Sequence, residues 1–163
     1  MTAKKNNTDN FNPALDLVLE RTVPVSPERV FAAYTKPELL KQWFAPKPWS
    51  IKSVDIDVRP GGRFNFVMAS PEGQEFPNAG CFLEVVENRR IVTTDTLLEG
   101  FRPSGSSFMT AIITMEPDGK GGCKYTARAI HADEETRKKH EAMGFLQGWG
   151  QTLDQLVELA KTL

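Results

Sequence analysis

Few groups in this chain could carry chemistry, and their spacing limits what that chemistry could be. Two histidines, His131 and His140, are its only imidazoles. Such a group can move protons near neutral pH or ligate a metal. No cysteine or acid stands at ligand spacing beside His140, so a metal site lacks donors and none is predicted. His140 precedes Met143 by three residues, which puts both on one helical face and would let His140 anchor a ligand by a hydrogen bond. A solvated helix histidine is the simpler reading. Arg21 has the parity of Leu17 and Leu19, so its guanidinium could turn inward to meet a carboxylate; an ion pair with Glu84 or Asp95 is equally simple. Cys81 and Cys123 form no C-x-x-C pair and read as small buried hydrophobes with free thiols. Gly61-Gly62 and Gly121-Gly122 lack the strand-loop-helix setting and the lysine of a phosphate-cradling loop. Ser104, Ser106 and Ser107 have no G-x-S-x-G context, and no Ser/His/Asp set assembles around them. The run from Glu134 to Lys139 sets acids ahead of bases at helical spacing, the pattern of a solvated helix face.

Composition narrows the classes further. The chain has 163 residues, 40% hydrophobic and 25% charged, with a net charge of -1. That is one ordinary globular domain, with no excess positive field to collect nucleic acid. The opening residues lack the apolar core of a secretion signal, and no apolar run approaches the roughly 18 residues that span a bilayer. A cytoplasmic location is expected, with residues 1–14 a flexible polar tail and 15–163 one domain.

The elements that must position these groups follow from periodicity. Leu15, Leu17 and Leu19 alternate with Asp16, Val18 and Glu20 as a first strand to about Val23. Ser26-Pro27-Glu28 opens a short helix through Val30, Phe31 and Tyr34, and Thr35-Lys36-Pro37-Glu38 repeats the signal for a second carrying Leu39, Leu40, Trp43 and Phe44. A meander then follows. Val54, Ile56 and Val58 share one face before the turn Pro60-Gly61-Gly62, and Phe64, Phe66 and Met68 share one after it. Further strands are predicted over 80–86, 90–98, 106–116 and 123–130, seven in all. From Asp133 onward the pattern predicts one long helix whose stripe holds Met143, Leu146, Gly150, Leu153, Val157 and Ala160, flanked by Trp149 and Leu156. Its only large apolar partner is the open face of the meander. The expected class is therefore α+β, a seven-stranded antiparallel sheet with a long C-terminal helix packed across it.

This order of elements resembles the START-related, pollen-allergen-like superfamily with its helix-grip fold. The stretches Ser26-Pro27-Glu28-Arg29-Val30-Phe31, Trp43-Phe44-Ala45-Pro46, Pro60-Gly61-Gly62-Arg63-Phe64, Glu84 to Val92, and Gly144-Phe145 with Gly148-Trp149 are similar to the family named for the activator of the heat-shock-protein-90 ATPase. The resemblance covers about 15–163. Ala45 stands where relatives commonly carry glycine, and only a short polar tail stands where the co-chaperone has a further domain, so chaperone activation is a poor inheritance. The resemblance implies a mostly apolar cavity between sheet and helix. Its candidate lining is Trp43, Phe44, Phe64, Phe66, Met68, Phe82, Phe108, Met109, His140, Met143 and Leu146; for each of these, plain core packing is the alternative. The expected function is binding of a small lipophilic or aromatic molecule, without a cofactor, by a monomer or weak homodimer. Two alternatives stay open: a cyclase- or hydrolase-like enzyme using Arg21, Glu84 and His140 in the same cavity, and a chaperone-interacting protein.

Overall fold

The computed structural model describes residues 10–163. Ten strands and four α-helices follow one another as β1 (Asp16–Val23), α1 (Pro27–Thr35), α2 (Pro37–Trp43), β2 (Ser50–Ile56), β3 (Phe64–Ala69), β4 (Glu75–Asn78), β5 (Cys81–Val86), β6 (Arg90–Thr94), β7 (Leu97–Leu98), β8 (Arg102–Pro103), β9 (Thr110–Pro117), β10 (Cys123–Ile130), α3 (Glu134–Ala142) and α4 (Phe145–Ala160). Helix α1 starts where Ser26 Oγ accepts from the amide of Arg29 at 3.3 Å, satisfying an end donor that the helix itself leaves open. The second start signal works differently. Thr35 closes α1 by donating its hydroxyl to the Phe31 carbonyl at 2.7 Å, and α2 begins at Pro37 without a side-chain cap.

The expected single seven-stranded sheet is divided. A five-stranded sheet runs β1-β10-β9-β6-β5, a three-stranded one β2-β3-β4, and a two-stranded one β7-β8. The division occurs between β3 and β5. They meet through one bridge, Arg63 to Cys81, and a backbone bond from Phe64 N to the Gly80 carbonyl at 2.9 Å. Beyond that point β3 pairs with β4 instead, Phe66 to Asn78 and Met68 to Phe76. The joint needs glycine. A Cβ on Gly80 would lie 2.6 Å from the Thr94 carbonyl oxygen, and one on Gly62 only 1.8 Å from that of Asp57.

Register on the larger sheet fixes what its inner face offers. Leu17, Ala129, Ala111, Thr93 and Phe82 form one row across it, and Leu19, Ala127, Ile113, Ile91 and Val85 the next. The second row is buried at Ala127, Ile113 and Ile91 against a core that includes Val30, Ala33, Leu40, Leu153, Leu156 and Val157. On the outer face, Arg128 Nη2 meets Asp16 Oδ2 at 2.7 Å with both side chains buried, and the Phe11 ring lies 5.8 Å from the guanidinium carbon. Residues 10–14, expected as part of the tail, thus have hydrogen-bonded places: the Ala14 carbonyl also accepts from Arg137 Nε. The tail before them lies outside the described residues.

The expected long helix is two helices. The chain turns at Gly144, whose φ of 89° suits a residue without Cβ. Met143 is therefore not part of an inward stripe: it caps α3 and is 67% exposed. On α4 the stripe is real from Phe145 to Ala160. Gly150 allows the Arg21 guanidinium to pass at 3.1 Å from where a Cβ would stand, and Arg21 Nη1 reaches Asp154 at 2.6 Å. That pairing replaces the expected partners, since Glu84 meets Arg90 and Asp95 accepts from the amides of Phe108 and Met109. Gln155 fastens α4 to α2 by donating Nε2 to the carbonyls of Trp43 and Ala45 at 3.0 and 2.8 Å.

Candidate functional site: the open end of the sheet-helix layer

One end of the layer between sheet and helices is sealed by aromatic packing. Trp43 is buried, donates its indole N–H to the Ala33 carbonyl at 3.0 Å, and meets Tyr34 edge-on at 4.8 Å. The hydroxyls of Tyr34 and Tyr125 bond each other at 2.6 Å, and burial pushes both phenols above their ordinary pKa, so they are neutral packing groups. From Trp43 the aromatic contacts run outward to Phe44 at 5.3 Å, then to Phe66 at 5.2 Å and Phe64 at 5.9 Å. Phe64 in turn meets the buried ring of Phe82 at 5.2 Å.

Away from this plug the layer opens. All six residues of β3, Phe64, Asn65, Phe66, Val67, Met68 and Ala69, are half-buried, as are Phe44, Val54, Ile56 and Val58. Phe66 and Met68 reach beyond the main core, which takes in Phe64. The helix shows the same gradient. Leu146 and Leu153 are seven residues apart and so lie on nearly the same line of α4, yet Leu153 is 1% exposed and Leu146 56%. Phe145, in the same first turn, is 2% exposed, so the gradient is confined to the side of α4 that carries Leu146.

A histidine pair joins α3 to the residue just past β10. His140 is buried, contrary to a solvated helix position. Its Nδ1 lies 2.9 Å from His131 Nε2, and His131 Nδ1 lies 2.7 Å from the Leu15 carbonyl oxygen. Rings enclose it: Phe108 at 4.8 Å, Phe145 at 5.2 Å and Trp149 at 5.8 Å. Burial first, and the His131 charge second, pull the His140 pKa down to about 4, so it is neutral at physiological pH. Met109, half-buried, follows Phe108 in the same loop.

Two open hollows mark the surface, the smaller of them bordered by Phe66. The larger, of about 1000 Å³, covers the outer face of the five-stranded sheet among Glu20, Glu84, Arg90, Lys124 and Arg128; the smaller, of about 320 Å³, is on the back of β3 and β4. The larger one is wide and lined by charges of both signs, some already paired, which is how a solvated sheet face looks. Arg21, Glu84 and His140 do not converge. The first pairs on α4, the second on the outer face, the third with His131. Among the described residues no three His, Cys, Asp or Glu side chains gather as metal ligands, and no helix is long and apolar enough to cross a membrane.

The model of the family described as activator of Hsp90 ATPase homolog 1-like protein matches residues 24–161. The chain belongs to that family. A crystal structure of a protein from Nitrosomonas europaea has 48% identity and a TM-score of 0.90, covering 93% of this chain and 97% of its own. A Chromobacterium violaceum protein has 27% identity and a TM-score of 0.70 over 88% and 96%. A protein from Aeromonas hydrophila described as AHSA1-like shares 19% identity at a TM-score of 0.69 over 91% and 93%, a likeness of fold. No curated protein matches the chain. Of the residues expected to line a cavity, Trp43 and Phe82 are fully buried, and Phe44, Phe64, Phe66 and Met68 are half-buried. His131 and Phe145 were missed as members of the site. His131 could have been found from its place one residue past the last strand, where it meets the residue just before β1 through the sheet register.

Proposed function

We propose that this family member holds a small hydrophobic or aromatic molecule at the open end of the layer, between the β3 wall and the first turns of α4. One observation carries the reading: a single apolar surface is sealed at its Trp43 end and only partly buried at its Phe66 end, although the residue types are equally apolar. A side chain as large as Phe66 gains roughly 1.5–3 kcal/mol from full burial, so a strand left half-covered on its aromatic face retains surface that a ligand would bury. Members of this family bind hydrophobic ligands, which agrees. The enzymatic alternative gains no support, because its three candidate side chains lie apart. The site serves a monomer or weak homodimer in the cytoplasm.

Phe66→Trp tests this. If a ligand-sized space adjoins Phe66, the larger indole occupies it: the urea midpoint stays equal or rises while affinity for the fluorescent probe 1-anilinonaphthalene-8-sulfonate falls. If the space is filled, overpacking costs roughly 1–3 kcal/mol and the midpoint drops. A lowered midpoint with unchanged probe affinity, or a wild-type chain that binds no probe, refutes the reading.

A further inference from the structure

Helix α3 is held less by packing than by a strap. Of its nine residues only His140 is buried, and so short a helix does not keep its place unaided. The His140 ring stands edge-on to Phe145 and Trp149 of α4 and 4.8 Å from Phe108. It thereby covers the Phe145 side of the first turn of α4, while the Leu146 side stays open. The remaining ties run to residues 10–15. Three backbone carbonyls of that segment are taken from elsewhere in the fold: Asn10 by Arg128 Nη2 at 3.0 Å, Ala14 by Arg137 Nε of α3 at 3.2 Å, and Leu15 by the His131 amide at 3.0 Å. Within the segment, Asn12 Oδ1 accepts from Ala14 N, and the Asn12 carbonyl from the amides of Leu15 and Asp16, which makes it one turn. Phe11, three residues before the Ala14 tie, rests on the Arg128 guanidinium of β10. Between α3 and α4 stands Gly144 at a φ of 89°, a backbone state that glycine adopts without strain and that serves as a pivot.

We propose that α3 is a lid hinged at Gly144 over the first turn of α4, and that residues 10–15 are the latch that keeps it shut. The inference rests on the apolar-binding reading, in which the first turns of α4 form one wall of the site. Lifting α3 withdraws His140 and adds the rings of Phe145 and Trp149 to that wall. Entry of a ligand is then governed by how often the latch lets go.

The test joins amide hydrogen exchange to stopped-flow binding of 1-anilinonaphthalene-8-sulfonate, on the full chain at pH 7.5, for the wild type, Arg137→Met and Phe11→Ala. Arg137→Met keeps an unbranched stem and removes the tie to Ala14. The amides of residues 134–142 should exchange about tenfold faster, the factor that one hydrogen bond makes, with those of 153–160 unchanged. Phe11→Ala loosens only the anchor on β10, yet should speed the same amides about threefold, the factor of one partly exposed cation–ring contact. In each variant probe association should quicken in the same ratio as α3 exchange, because the open form is the one that admits the probe. Exchange of α3 that ignores Phe11→Ala shows that there is no latch, and faster exchange without faster association shows that there is no lid. Acceleration that spreads to 153–160 means general loosening. Any of these three results overturns this inference and leaves the binding reading in place. A wild-type chain that binds no probe overturns both.

Discussion

Acid should destabilise this protein through His140 before its carboxylates titrate. In the native state the buried imidazole has a pKa of about 4, while in an unfolded chain it returns to the ordinary 6.5. The folded value is the lower one, so the unfolded state binds the proton first. Stability from this group is complete above pH 6.5, declines as pH falls below it, and is gone once pH drops through about 4. At about pH 4.5 the accumulated loss is roughly 2–3 kcal/mol, since each pKa unit corresponds to about 1.4 kcal/mol. Against a total stability of roughly 5–15 kcal/mol that is a large share. The assay is urea denaturation at pH 7.5, 6.5, 5.5 and 4.5 for the wild type and for His140→Gln. Subtracting the two curves removes the carboxylates that both proteins share. The wild type should lose about 2 kcal/mol more than the variant between pH 7.5 and 4.5, most of it above pH 4.5 and below 6.5. Parallel curves would mean that His140 titrates normally and is not held in its aromatic enclosure.

Replacing Asp16 by alanine removes one carboxylate partner of the buried Arg128 guanidinium, and chemical denaturation should show a loss of about 1–3 kcal/mol; Asp16→Asn should lose less. Gly62→Ala drives a methyl group into the Asp57 carbonyl, so about 3 kcal/mol or more should disappear, with the thermal midpoint as the measure. Both cysteines are buried and free, and burial raises the Cys123 thiol to about 11; a disulfide-exchange reagent at pH 8 should find almost no reactive thiol in the native protein and two equivalents after denaturation. Leu153→Ala opens a void in the sealed half of the core and should cost about 2–5 kcal/mol in equilibrium unfolding, whereas Leu146→Ala, on the same line of α4 but exposed, should cost under about 1.

Much of the architecture was readable along the chain because local rules were obeyed. The strand at 123–130 has its predicted bounds, Ser26 caps α1, and the Pro60-Gly61-Gly62 turn joins β2 to β3 through a short loop. What escaped was decided by long-range fit. Strand β4 reads Glu-Phe-Pro-Asn, a proline-bearing sequence that suits only an edge strand and gives no alternation to detect. The break between α3 and α4 was signalled by Gly144, yet the three- and four-residue recurrence of apolar residues on either side concealed it, and Met143 was drawn into a stripe it does not share. The aromatic wall of the site was legible as parity on β3, since Phe64, Phe66 and Met68 alternate. The histidine pair was not: one member follows the end of β10 and the other lies nine residues on in α3, and only the fold of α3 back against β1 brings them together.

Helix α3 has its own N-cap at Asp133, a left-handed turn behind it, and a single buried residue, His140. Its ties to the strands are correspondingly few, Arg137 to the Ala14 carbonyl and His140 to His131. Such a segment opens as a unit of its own, at a free energy well below that of unfolding the molecule. Its amide protons should therefore exchange with solvent ahead of those of Leu153 to Ala160, by a route that leaves α4 in place. Because His140 travels with α3, each opening frees the imidazole to take up a proton and delays reclosure at mildly acid pH. The first step of acid damage should thus be the detachment of the nine residues of α3, while the sheet and its long helix remain assembled.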